Sequence, residues 1–135
     1  MRNILLIIYL SLTPIFVATA ATDIDSMECV LAKMPSGDRL VKLDELASDK
    51  GQGLDYKYYA DRLLKEAELS KDDTYKGNAL FQIIRYYYSR NIDSMHFFIK
   101  KAEPIYLAQK RYEDLCRVKD GIFTLYRVMA RRKGC

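Results

Sequence analysis

The sequence predicts an all-α protein in which antiparallel helical hairpins are stacked side by side. Apolar residues recur at the spacing of one helix face, most clearly at Tyr56, Tyr59, Ala60, Leu63 and Ala67. No stretch alternates between apolar and polar residues for long enough to indicate a β-strand. The breaks between periodic stretches are short, and short connections place consecutive helices antiparallel.

Composition bounds the classes of protein that this chain can belong to. It has 135 residues, of which 50% are hydrophobic and 30% charged, as is typical of one small folded domain. One His and three scattered Cys cannot form the usual four-ligand zinc sites. Few Gly and no known nucleophile, metal or phosphate-loop motif leave no support for catalysis. We therefore expect no enzyme activity, no metal and no cofactor.

The first twenty residues have the pattern of a cleaved signal peptide. Arg2 gives a positive start, residues 4–12 are apolar except for one serine, and residues 18–20 are small. Cleavage is expected between Ala20 and Ala21, which leaves residues 21–135 as the repeat domain. An uncleaved anchor is the alternative, but the apolar run is short and contains Pro14. We expect an exported protein that is periplasmic or associated with the envelope.

Charge and cysteine usage restrict the possible partners. Without Arg2 the chain has 21 basic side chains against 18 acidic ones, and both kinds are interspersed, so no nucleic-acid partner is expected. Export makes disulfides possible, but Cys29, Cys116 and Cys135 cannot all pair within one molecule. A homo-oligomer through an unpaired Cys is therefore an option. Cys116 lies in an apolar helical stretch and is expected to be a small buried residue.

The predicted helices follow in order after the signal peptide. Capping and apolar spacing place Asp72 to Thr74 at a helix start, and Asn91 is expected to close that helix in the left-handed conformation. The next helix continues its apolar register past Pro104, which predicts one kinked helix. The predicted helices cover residues 23–34, 38–48, 56–68, 74–90 and 112–132, and a further helix starts after Asp93 and reaches at least Tyr106.

Two internal comparisons suggest repetition. Residues 80–85 match residues 122–127 at an offset of 42, and the apolar spacing of residues 60–67 recurs at 95–102, at an offset of 35. Both offsets fall in the range of repeats made of helix pairs.

Residues 59–67 resemble the second helix of a tetratricopeptide repeat, with small, large and small apolar residues in turn. Residues 78–90 resemble a following first helix, 93–102 the next second helix and 118–133 another first helix. The resemblance implies an α-solenoid of about two to three repeats that binds a protein or peptide in a concave groove. The residues expected in the repeat core are Ala60, Leu64, Ala67, Ile83, Ile99 and Ala102.

Clustered tyrosines on the two first helices are the candidate partner contacts: Tyr86, Tyr87, Tyr88 and Tyr126. The alternative is that one ring of this tyrosine run lies in the core and two lie at its margin. His96 is expected to face solvent, with a pH-sensitive or ligand role as its alternative.

Three functional classes stay open from the sequence. The first is an exported binding scaffold, which resembles in style the sensory front ends of bacterial envelope histidine kinases. The second is a structural envelope bundle that oligomerises through Cys135. The third, an enzyme or its regulator, requires a pocket that gathers His96, Cys116 or several carboxylates. The last predicted helix has no following partner, so either its apolar residues face inward onto the preceding helix pair or the natural protein continues past Cys135, which is the alternative that we favour.

Overall fold

The computed structural model describes residues 19–48 and 55–133, and the side chains of residues 24–48 and 55–132. The chain divides into two units, with the boundary between Met34 and Pro35. The first unit contains helix α1, Thr19–Lys33. Residues 1–18 of the predicted signal peptide lie outside the described residues, and Ala20 and Ala21 lie in the first turn of α1. Among the described helices, none combines the length and apolarity that crossing a bilayer requires.

The second unit is a run of five helices, of which the last four are joined by short turns. Every regular element in the described part of the chain is helical, which confirms the predicted all-α class. The five helices are α2 (Ser36–Ser48), α3 (Asp55–Ser70), α4 (Asp73–Tyr87), α5 (Ile92–Ala108) and α6 (Tyr112–Lys133).

Each helix of this unit packs on the next along the chain, and α4 also touches both α2 and α6. The apolar faces that the spacing predicts meet between the helices, because burial of those faces is what stabilises a helix of this length. The buried cluster around α5 draws side chains from α4, α5 and α6: Leu80, Ile84, Met95, Ile99, Ala102, Tyr106 and Val118.

The same turn connects α3 to α4 and α5 to α6. Lys71 and Lys110 each adopt a left-handed backbone with φ of 56°. In both turns the next residue closes back on a carbonyl five residues earlier, as in a Schellman motif. These hydrogen bonds run from Asp72 N to Ala67 O (2.9 Å) and from Arg111 N to Tyr106 O (2.8 Å). The two turns therefore recur at an offset of 39, between the offsets of 35 and 42 that the sequence comparisons suggested.

The turn between α4 and α5 corrects one prediction. Asn91 has φ of −149° and caps α5, with its side chain accepting a hydrogen bond from Ser94 N at 2.9 Å. The left-handed residue is Ser89, with φ of 70°. Asparagine is favoured both at helix starts and in left-handed turns, so the residue type alone does not select between them. The expected start at Asp72 is confirmed, and α5 continues through Pro104 as one helix.

Candidate functional site

Two adjoining clefts lie along α2, α4 and α6 and share the ring of Phe81. The first, the polar cleft, has a volume of about 210 Å³. The second, the apolar cleft, has a volume of about 280 Å³. The polar cleft is lined by Asp44, Ser48, Asn78, Phe81, Gln82, Arg111 and Asp114. The apolar cleft is lined by Phe81, Ile84, Arg85, Tyr88, Met95, Arg117, Val118 and Gly121.

Side-chain amides of α4 bridge to α2 across the polar cleft. Asn78 Nδ2 donates to Asp44 Oδ2 at 3.0 Å, and Gln82 Nε2 donates to Ser48 Oγ at 3.4 Å. On each helix the two residues are four apart, so they lie on one face and form two parallel bridges. These bridges give the polar cleft a wall whose side chains are already oriented.

Asp44 is the residue of this wall that keeps an unused acceptor. Its Oδ1 is buried and has no hydrogen-bond partner among the described residues. Burial raises the pKa of this carboxyl above its usual range, against the opposing effects of the Asn78 hydrogen bond and the positive charge of Arg111. Because this oxygen is shielded from solvent and has no donor in the described part of the chain, it adds to the cost of ionising Asp44.

Arg111 closes the other side of the polar cleft and links α4 to α6. Its Nε and Nη2 both lie 2.7 Å from Asp114 Oδ2, and its Nη1 donates to Thr74 O at 3.3 Å. The guanidinium also lies over the ring of Tyr106, 5.1 Å from the centroid. The carboxylate, the carbonyl and the ring together fix the direction of this guanidinium, because its planar donors point in set directions.

The apolar cleft depends on a glycine in α6. A Cβ at Gly121 would lie 3.1 and 3.3 Å from two ring atoms of Tyr88, so the absence of a side chain allows that ring to pack there. Arg85 and Arg117 line the apolar cleft beside its apolar side chains. Arg85 Nη1 donates to Gln82 Oε1 at 3.0 Å, and Arg117 Nη2 donates to an exposed carboxylate, Glu113, at 2.6 Å.

The three consecutive tyrosines do not form one surface. Tyr86 meets Tyr56 of α3 edge to face at 5.9 Å, Tyr87 stacks on Phe98 of α5 at 5.6 Å, and Tyr88 lines the apolar cleft. Consecutive residues of a helix point about 100° apart, so a run of three cannot share one face. Of the four predicted contact tyrosines, the described clefts include Tyr88 alone.

Tyr126 lies on another surface of α6, at the edge that borders α5. Its hydroxyl is 2.9 Å from His96 Nε2, and its side chain is 51% exposed. His96 is half-buried rather than free in solvent. Neither residue of this pair lines the polar or the apolar cleft.

The remaining predicted positions are placed as follows. Cys116 is exposed, contrary to the expected burial, because it lies on the side of α6 that no described helix covers. Cys29 is also exposed, and Cys135 lies outside the described residues. Leu64 is half-buried, whereas the other expected core residues are buried: Ala60, Ala67, Ile83, Ile99 and Ala102.

The polar cleft was missed by sequence reasoning, although one residue signals it. Gln82 stands between apolar residues on both sides and is buried, with 8% exposure. A glutamine inside an apolar run needs hydrogen-bond partners. Arg85 of the same helix donates to its oxygen, whereas its amide nitrogen donates to Ser48 of α2. Its partner on α2 is 34 residues away, so no local pattern identifies it.

No cluster of three or more His, Cys, Asp or Glu suited to a metal ion occurs among the residues that the structure describes. No family model matches the chain, and neither the curated proteins nor the solved structures contain a match.

Proposed function

We propose that this chain is a helical-repeat module that binds a protein or peptide segment along α2, α4 and α6. The observation that supports the proposal is the pair of adjoining clefts, one polar and one mainly apolar, on three helices that follow one another in space. A surface of this kind offers an extended chain both hydrogen-bonding groups and a place for an apolar side chain.

The order of helices supports a repeat of the tetratricopeptide type. Helix α4 packs on its chain neighbours α3 and α5 and also reaches α2 and α6, the first helices of the hairpins before and after it. Stacked helical hairpins make such contacts when each repeat buries its apolar face against the next. The matching turns at Lys71 and Lys110, at an offset of 39, add a regular spacing to this argument.

The chemistry of the two clefts suggests the partner's features. Among the residues of the polar cleft, Ser48 is exposed and Asn78 is half-buried, so their side chains offer hydrogen-bonding groups to the partner. The apolar cleft suits a medium-sized apolar side chain, and Arg85 and Arg117 favour a carboxylate beside it. Binding of this kind requires neither catalysis nor a cofactor. We propose that it operates after export, in the sensory part of an envelope signalling protein.

A peptide-display selection tests the proposal. The purified full chain is used as bait for a random peptide library, and the affinity of enriched synthetic peptides is measured by fluorescence anisotropy. We expect dissociation constants of about 1–100 μM, which are typical of small recognition surfaces. Gly121→Leu fills the apolar cleft, and leucine favours a helix more than glycine does. This variant should weaken binding by about tenfold or more.

The matched control is Gly37→Leu, because a Cβ at Gly37 meets no atom within 4 Å. It should bind the peptides with unchanged affinity. A second variant, Arg117→Ala, removes a cleft cation without adding volume and should weaken peptides that carry a carboxylate. Failure to enrich any peptide, or equal binding by the correctly folded Gly121→Leu variant, would refute the proposal.

A further inference from the structure

Helix α6 carries an apolar stripe on the side that faces away from the two clefts. Its residues are spaced four and three apart in alternation, which is the spacing of one helix-pairing seam. Phe123 and Tyr126 at its centre are 64% and 51% exposed, and Tyr112 at its start is 58% exposed. We call this row the α6 seam, and it consists of Tyr112, Cys116, Lys119, Phe123, Tyr126 and Ala130.

The corresponding face of α4 is covered by a helix. At the offset of 39 that relates the two turns, Lys119, Phe123 and Tyr126 correspond to Leu80, Ile84 and Tyr87. Those three residues of α4 pack against α5, where the aliphatic pair is buried and the tyrosine ring is stacked on a phenylalanine. The α6 seam is thus a face of the type that an antiparallel helix covers elsewhere in this molecule.

One charged residue lies in the seam, and its charge is already balanced. Lys119 Nζ donates to Glu103 of α5 at 2.5 Å, which draws the ammonium towards α5. The alkyl part of a lysine packs on apolar surface when its charged end is satisfied at the edge. Lys119 is therefore compatible with a covered seam.

Charges beside the seam are separated along the helix. Asp120 and Arg127 lie on the same flank, one position after the seam residues Lys119 and Tyr126. Both side chains are exposed. Asp120 has no ion-pair partner among the described residues, and Arg127 contacts the Phe123 ring at 5.8 Å. This flank therefore presents a negative charge first and a positive charge two turns later.

We propose that the α6 seam pairs with the α6 seam of a second copy of this chain, antiparallel and across a two-fold axis. In the register that places Phe123 against Tyr126 of the second copy, Asp120 lies beside the second copy's Arg127. Symmetry forms both the aromatic pair and the charge pair twice. A parallel arrangement would instead place each of these charges beside an apolar residue of the other flank and leave it unpaired.

This charge complementarity is the reason for proposing a second copy of the chain as the binding partner of the seam. A flank whose acidic residue precedes its basic residue is complementary to itself only when reversed. The interface is independent of the clefts, which α6 lines with Asp114, Arg117 and Gly121 on another side. Dimerisation and peptide binding can therefore succeed or fail separately.

A charge-exchange cycle tests the dimer. Sedimentation equilibrium of the full chain, under reducing conditions that exclude disulfides, should show a monomer–dimer equilibrium. Asp120→Arg and Arg127→Asp should each weaken the dimer by about tenfold or more, because each places like charges together twice. The double variant should restore association to within a few-fold of the natural chain. Phe123→Ser should abolish it.

Exposed charges on α3 provide matched controls. Glu68→Arg and Lys65→Asp change the net charge by the same amounts as the seam variants and should leave association unchanged. Circular dichroism checks that every variant is folded. If the natural chain is monomeric at all concentrations, the seam does not bind a second copy and the proposal is overturned. A dimer that ignores the single exchanges, or is not restored by the double exchange, would also overturn it.

Discussion

Helices α4 and α6 hold equivalent places in the second unit but differ sharply in burial. Six residues of α4 are buried, and α4 has packed helices on several sides. Among the described side chains of α6, Val118 is the buried one, while Phe123, Tyr126, Val128 and Met129 are exposed. A similar apolar period therefore yields two different environments, because burial depends on neighbouring helices as well as on the helix itself.

The difference in burial between α4 and α6 is larger on one helix face than on another. Ala79 and Ile83 of α4 correspond to Val118 and Ile122 of α6, and both pairs face the interior to different extents. On the adjacent face, which turns towards α5 in α4, Ile84 is 4% exposed, and its counterpart in α6, a phenylalanine, is 64% exposed. The stability of α6 should thus derive from the one face that carries Val118 and Ile122. Local opening of the second unit should therefore begin at α6.

The largest expected loss of stability is at one of two isoleucines that hold equivalent positions in α4 and α6. Ile83→Ala removes a fully buried side chain from α4 and should lower the free energy of unfolding by about 2–5 kcal/mol. Ile122→Ala makes the same chemical change at a half-buried position of α6 and should cost less, about 1 kcal/mol. Urea unfolding followed by circular dichroism measures both values. Equal losses would show that the two helices are equally supported.

A smaller effect is expected at the hydrogen bond that fastens α5 to α4. The buried hydroxyl of Tyr106 donates to Gly77 O at 2.9 Å, and α6 has Cys116 where α4 has Gly77. Tyr106→Phe should cost about 1 kcal/mol of stability. Burial raises the pKa of this hydroxyl, so it stays protonated and the loss should not vary between pH 5 and pH 9.

Tyr75→Phe is the control for this change, because Tyr75 is half-buried on the same helix as Gly77 and its hydroxyl makes no hydrogen bond with any described residue. It should leave the unfolding midpoint unchanged. If Tyr106→Phe is equally harmless, the hydrogen bond adds nothing beyond the packing of the ring.

The smallest expected change in stability is at Asp44, where α2 meets α4. Because burial raises the Asp44 pKa above its ordinary value of 3.8, the ionised carboxylate lowers stability at pH above the folded-state pKa. That loss disappears as the pH falls through the folded pKa towards the unfolded one. Asp44→Asn retains an acceptor for Asn78, so it should slightly raise the melting temperature at pH 7. The difference should vanish below pH 4.

Melting curves of both proteins between pH 3 and pH 8 measure this difference. Ser48→Ala, one turn along α2, is the control because it removes a cleft group that does not titrate. If the natural chain instead loses stability relative to Asp44→Asn as the pH is lowered, the pKa of Asp44 is not raised.

Much of the fold was predictable because helix periodicity is a local property. Apolar spacing gives the all-α class, and the cap at Asp72 gives the start of α4. Asn91 was assigned to the wrong side of its turn, since an asparagine can end one helix or begin the next. That choice depends on how many residues the turn contains, which a single residue type does not fix.

The candidate site was less predictable because it is assembled from residues far apart in the chain. Asp44 meets Asn78, and Arg111 meets Thr74, over separations of 34 and 37 residues. The tyrosine run attracted attention by composition, yet its members point to three different helices. Only Gln82, a polar residue within an apolar stretch, indicates the polar cleft from sequence alone.

The packing of each helix on its chain neighbours also bears on how the molecule forms. When native contacts join segments that are close in sequence, only short loops must be closed, and low contact order is associated with rapid folding. Each hairpin of the second unit can assemble as soon as its two helices have been synthesised. We therefore expect the hairpin of α2 and α3 to form first and α6, which packs least on its neighbours, to join last.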